Sequence, residues 1–150
     1  MLVITLLFVS IFNRNQKLRV ALGFFYKKKP FEKADCWIEK DNRIENKLQL
    51  QQELKGIKNA EFFSKYYSRV KCNKIVVAKN AEYCVIRDMV FIIFNMVLVI
   101  GILTIFWPNL FWKELFASVI AYLIGVVSCR NKVKDFVQQI IVEYIDLKEE

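Results

Sequence analysis

Two runs without a charged residue govern what this chain can fold into. Residues 89–107, MVFIIFNMVLVIGILTIFW, make the first, 19 long; residues 115–129, LFASVIAYLIGVVSC, make the second, 15 long; only residues 108–114, PNLFWKE, lie between them. At the helical rise the first run reaches about 28 Å, close to the hydrocarbon thickness of a bilayer. Started at Leu110, the second run gains three apolar residues and reaches about 30 Å. A pair of buried helices in a water-soluble core would also be apolar, but such helices are usually broken by polar residues and rarely come as two long runs joined so tightly. The sequence therefore predicts a mainly α-helical integral membrane protein built on a transmembrane hairpin, with spans at 89–107 and 110–129.

Charge is distributed as two solvents require. Mean hydropathy is +0.26 although 25% of residues are charged, so the charges must fill the gaps between apolar blocks. Residues 13–88 hold 18 Lys and Arg against 9 Asp and Glu, residues 113–114 are neutral, and residues 130–150 carry a net −1. A basic lobe beside a membrane span is explained more simply by topology and anionic lipid than by nucleic acid, which is not an expected partner. Lys71, Lys74, Lys79 and Arg87 precede the first span, and Arg130, Lys132 and Lys134 follow the second. The connector offers only Lys113 beside Glu114, with Trp107, Phe111 and Trp112 as an aromatic belt. The positive-inside rule then places both hairpin ends in the cytoplasm and the connector outside, as expected of a multi-pass protein of a bacterial inner membrane.

Several chemistries are excluded by residue type. Histidine is absent, which removes Ser-His-Asp and Cys-His catalysis. Cys36, Cys72, Cys84 and Cys129 form no CxxC pair, so a four-cysteine zinc site has no signature. Neither run contains Asp, Glu, Lys or Arg, leaving no carrier for a proton relay or a gating charge. Glu32, Asp35 and Glu39 are carboxylates without a glycine-rich loop or a metal cluster to give them a role. No catalytic, cofactor-binding or metal residue is expected, and the chain does not read as an enzyme.

The candidate functional residues are those of membrane packing. Ala117, Ala121, Gly125 and Cys129 recur every fourth residue and line one helical stripe, along which backbones can approach closely. Gly101 lies at the depth of Ala117 when the spans run antiparallel, so the stripe can close the hairpin or join copies. Asn95 is the strongly polar side chain of the first span and needs a partner there, either a helix contact or a polar pathway. Lys27, Lys28 and Lys29 follow the apolar patch 18–26 and are candidate contacts for lipid headgroups, or simply a basic membrane flank.

The remaining chain is read as helical with exceptions. Residues 1–12, MLVITLLFVSIF, are either a short anchor or the end of a longer span that starts upstream. Residues 31–39 are expected to be irregular around Cys36, Trp37 and Ile38. From Asp41 or Asn42 as cap, a helix is expected through Ser68, with Ile44, Leu48, Leu54 and Ile57 on one face and Gly56 as a weak point. Its aromatics Phe62, Phe63, Tyr66 and Tyr67 read as core rather than as base-stacking rings. Lys74-Ile75-Val76-Val77 has the composition of a short strand, after which Asn80 opens a helix into the first span. Adjacent Arg87 and Asp88 mark the membrane boundary and need not pair. Residues 131–150 form an amphipathic helix with Val133, Phe136, Val137, Ile140, Ile141, Tyr144 and Ile145 on one stripe, expected to pack on the 41–68 helix or on a second copy.

Small chains of this layout act through assembly. The expected function is a non-enzymatic membrane protein that oligomerises through its spans and binds a partner or lipid through its cytoplasmic part, as a membrane-acting effector or toxin would. An accessory scaffold subunit of a larger transporter, channel or respiratory complex is the alternative.

Overall fold

Helix α6, Lys74–Phe106, and helix α7, Pro108–Glu149, dominate the computed structural model, which describes residues 14–23, 30–39, 41–44 and 47–149. Before them come α1 (Arg14–Leu22), a 3₁₀ turn (Pro30–Lys33), α2 (Ala34–Ile38), α3 (Lys47–Leu54), α4 (Asn59–Phe62), a π-helical turn (Phe63–Tyr67) and α5 (Ser68–Val70). Among the described residues there is no strand. The segment 1–12 and Lys27, Lys28 and Lys29 lie outside the described residues. The chain divides into two compact units: a hairpin unit, Met1–Tyr26 with Cys84–Arg130, and an aromatic unit, Lys27–Tyr83 with Asn131–Glu150.

Three local signals explain why α6 and α7 start and stop where they do. Asn73 caps α6: its Oδ1 accepts from the Ile75 amide at 2.8 Å and its carbonyl accepts from the Val77 amide at 3.0 Å. That cap, together with burial of Val76 and Tyr83 on one side of the helix, overrides the β preference of Lys74-Ile75-Val76-Val77, so the expected strand is helix. At the other end Pro108 cannot continue α6, because it lacks an N–H and its ring obstructs the preceding turn. It sits instead at the first position of α7, where the missing N–H has no helical partner to lose. The connector is thus Trp107 alone, whose amide donates to the Leu103 carbonyl and whose carbonyl accepts from Leu110 and Phe111. Asn109, Lys113 and Glu114 belong to α7 rather than to a loop.

In the hairpin unit α6 and α7 run antiparallel. Gly101 faces Leu115, Phe94 packs on Tyr122 with ring centroids 5.5 Å apart, and Gly125 faces Val90. The contact at Gly125 is tight: a Cβ there would lie 2.9 Å from Val90 Cγ2. Helix α1 belongs to the same unit, with Val20, Ala21 and Leu22 buried. It ends at Gly23, whose φ of +87° is open to glycine at little cost. Residues 18–22 are therefore helical, with Val20, Ala21 and Leu22 packed in this unit. Arg87 does pair with its neighbour: Nε donates to Asp88 Oδ1 at 2.9 Å.

The aromatic unit is built on the last turns of α7, which continue the membrane-length helix without a break instead of forming a separate tail. Val133, Phe136, Val137, Ile140 and Ile141 are buried, and Tyr144 and Ile145 are half-buried. Phe136 is the hub, in edge contact with Phe31 and Tyr67 and stacked on Tyr83 at an interplanar angle of 11°. Residues 31–39, expected to be irregular, are helical and supply Phe31, Ala34 and Ile38 to this core. The single helix expected over 41–68 is broken. Asp41 caps nothing helical, α3 starts at Lys47, and Gly56 stops it with φ +78°, a left-handed value glycine adopts freely. Leu48, assigned to the buried face, is 78% exposed, because the chain before α3 is not in helical phase with it. Phe62, Tyr66 and Val70, four residues apart across the π turn, are buried as core.

Gly125→Ala should destabilise the hairpin by about 1–3 kcal/mol through overpacking on Val90, and Val90→Ala combined with it should recover most of that loss. Unfolding by SDS titration in mixed micelles measures both; full additivity of the two changes would refute the contact.

Candidate functional site

Among the described residues, the exposed large apolar side chains gather on α6 and α7. Met96, Leu98, Val99, Ile102, Ile105 and Phe106 on α6 are exposed, as are Leu110, Phe116, Ile120, Leu123, Ile124 and Val127 on α7. Both helices are long and apolar enough to cross a membrane. Their most apolar 18-residue stretches are only 17% and 6% buried, respectively, whereas the core helix of a soluble protein would be mostly buried. Left in water, each of these side chains would forgo part of the about 1.5–3 kcal/mol that full burial brings.

Within this surface the polar side chains are served by their own helix. Asn95 is buried and its Nδ2 donates to the Phe91 carbonyl at 2.7 Å, one turn back. Thr104 Oγ1 and Ser118 Oγ donate likewise to the carbonyls of Ile100 and Leu115. The partner that Asn95 requires is therefore a backbone oxygen of α6, and the helix–helix contact expected of its amide is not made by this bond. The small-residue stripe divides in two. Gly125 and Cys129 face inward, Gly125 against Val90, while Ala117 and Ala121 are exposed. Gly101 is half-buried, with Leu115 Cδ1 3.9 Å from where its Cβ would lie.

Two residues to which sequence reasoning gave no packing role, Tyr122 and Arg130, hold α1 in the hairpin unit. Tyr122 Oη donates to the Val20 carbonyl at 2.8 Å, and Arg130 Nε donates to the Leu22 carbonyl at 2.8 Å. The second bond places a cation on the carbonyl end of a helix, where the helix dipole favours it. Neither pairing has a sequence signature, since the partners lie 102 and 108 residues apart and the acceptors are backbone oxygens.

In the aromatic unit a cleft of about 390 Å³ is lined by Arg43, Ile44, Gln49, Leu50, Glu53, Val142, Tyr144, Ile145, Asp146 and Lys148. None of Glu32, Asp35 and Glu39 borders it. Its cations and anions are balanced, and Arg43 is already engaged. Buried Asp41 accepts from Arg43 Nε at 3.0 Å and from Nη2 at 2.7 Å, while Nη1 donates to Gln139 Oε1 at 2.9 Å. These bonds hold the Asp41 carboxyl below its ordinary pKa and raise the Arg43 guanidinium. Nearby, buried Gln138 donates from Nε2 to the Trp37 carbonyl at 2.9 Å, so the 37–43 strap is tied to α7 by side-chain amides at two points. On an exposed edge Lys132 lowers the Glu82 carboxyl through a 2.8 Å ion pair. Among the described residues no three His, Cys, Asp or Glu side chains gather as a metal site. No protein-family model, no curated protein and no solved structure matches this chain.

Because the folded Asp41 pKa is depressed, its contribution to stability is complete above the ordinary carboxylate range and fades as pH falls below about 4. Asp41→Asn should therefore cost about 1–2 kcal/mol at neutral pH, a charge-assisted bond discounted for the half-exposed Arg43. The difference from wild type should shrink below about pH 4 as the wild-type carboxyl itself protonates. Hydrogen exchange over residues 37–43 in the detergent-solubilised chain reads it.

Proposed function

We propose that the chain is a non-enzymatic multi-pass membrane protein whose spans lie within α6 and α7, whose aromatic unit is a cytoplasmic binding module, and which assembles with copies of itself. The uncovered apolar surface carries this reading: residues 89–107 and 110–129 match a bilayer in length, carry charge only at Lys113 and Glu114, and expose side chains that water would not tolerate in such number. Lys71, Lys74, Lys79 and Arg87 before the first span and Arg130, Lys132 and Lys134 just after the second, against Lys113 in the connector, favour both hairpin ends on the cytoplasmic side, as in the inner membrane of a bacterium. Reporter fusions at Lys79 and Glu150 should read cytoplasmic and one at Asn109 external; a cytoplasmic signal at Asn109 would overturn the hairpin.

Assembly is supported by the outer half of the small-residue stripe. Ala117 and Ala121 are exposed one turn apart on α7, and lipid tails offer apolar helices no hydrophobic reason to associate, so close backbone approach at small residues is the available attraction. Asn95, satisfied within α6, is not needed for it. The partner bound by the aromatic unit is open to an effector's target or to the remainder of a larger complex. Ala117→Leu with Ala121→Leu should reduce cross-linking between copies in native membranes several-fold while leaving protease resistance of the single chain intact, and Ile120→Leu should behave as wild type. Unchanged cross-linking in the double variant would remove the stripe from assembly.

A further inference from the structure

We infer that the end of the hairpin unit carrying Arg87 and Arg130 is a binding rim for the phosphate headgroups of anionic lipid, with Lys17 and Arg19 of α1 as its contact residues. The inference rests on the membrane reading given above. The antiparallel register fixes the level of this end. Val90 faces Gly125, so Arg87 lies about 4.5 Å along α6 from that contact and Arg130 about 7.5 Å along α7 in the same direction. Helix α1 is tied to the same level by the bond from Arg130 to the Leu22 carbonyl. Lys17 stands deeper, its Nζ 5.8 Å from the centroid of the Phe91 ring, two residues inside the first uncharged run. A lysine at the hydrocarbon edge keeps its stem on apolar side chains and its ammonium at headgroup depth.

The charge at this end is unbalanced. Among the described residues of the hairpin unit the acidic side chains are Asp88, which is paired with Arg87, and Glu114, which lies about 24 Å from Arg130 along α7. Neither half-buried Lys17 nor exposed Arg19 has a carboxylate partner there. Two cations at this end of the unit without a protein anion are complementary to lipid phosphate carrying net negative charge. A neutral zwitterionic headgroup brings its own ammonium and gains less from them.

The test uses the full chain in vesicles of phosphatidylcholine mixed with phosphatidylglycerol. Spin-labelled forms of each lipid, read by electron paramagnetic resonance, give the relative association of the two with the protein. Wild type should prefer phosphatidylglycerol by about fivefold or more, the factor that about 1 kcal/mol from one cation near the surface supplies. Lys17→Gln with Arg19→Gln should bring the preference towards one, and Lys17→Arg with Arg19→Lys should keep it. In about 1 M salt, where the screening length falls to about 3 Å, wild type itself should lose most of the preference, so the rim is tested even if the neutralised variant folds poorly. Equal association of the two lipids with wild type overturns the rim, as does a preference that survives the Gln variant or is abolished by free inorganic phosphate at matched ionic strength. Failure of the membrane reading looks different: the chain would stay in the supernatant after vesicle sedimentation and restrict neither lipid.

Discussion

A peptide group removed from water has to find its hydrogen-bond partner inside the structure, and a long helix meets that demand without help from any other segment. Residues 89–129 carry few polar side chains, and the buried Asn95, with Thr104 and Ser118, returns its hydrogen to a carbonyl of its own helix. The rest of the hairpin unit follows. With each helix largely self-sufficient in hydrogen bonds, shape matters where α6 meets α7, and Gly125, lacking a side chain, lets Val90 come close. Tyr122 and Arg130 reach out to carbonyls near the end of α1, where the last turn of a short helix leaves acceptors short of i→i−4 partners.

The aromatic unit is held by different forces. Here burial of rings around Phe136 supplies the driving force, and the polar side chains that enter the core do so with partners: Asp41 with Arg43, and Gln138 with the Trp37 carbonyl. Gln138 sits in the middle of an apolar stripe whose pattern assigns it to the outside. It is buried because the 37–43 strap presents a backbone acceptor at that point, and an amide bonded to a carbonyl costs little to bury. Asn73 serves in the same way twice, capping α6 with its oxygen and donating from Nδ2 to Glu143.

Much of this architecture was legible in the sequence because it depends on composition within a window. The two uncharged runs, the apolar stripe at Val133–Phe136–Val137–Ile140–Ile141 and the core role of Phe62 and Tyr66 follow from spacing and residue type alone. Errors arose where a local preference met a neighbour. The β-branched run at Ile75–Val77 is helix because Asn73 caps it and the long helix continues through it; the 41–68 helix is broken where Gly56 takes a left-handed φ just past the end of α3.

By itself the sequence determined that two long helices with uncharged runs would exist, where they change from polar to apolar, and that a short connector near Pro108 would separate them, since these depend on residue type and on the one-dimensional order of charge. Only the tertiary structure decided which half of the small-residue stripe is used within the chain, that Asn95 is satisfied by Phe91, and that α1 docks through Tyr122 and Arg130. Those outcomes depend on which backbone carbonyls come within about 3 Å of a donor, and a carbonyl looks the same at every position of a sequence until the fold has chosen its neighbours.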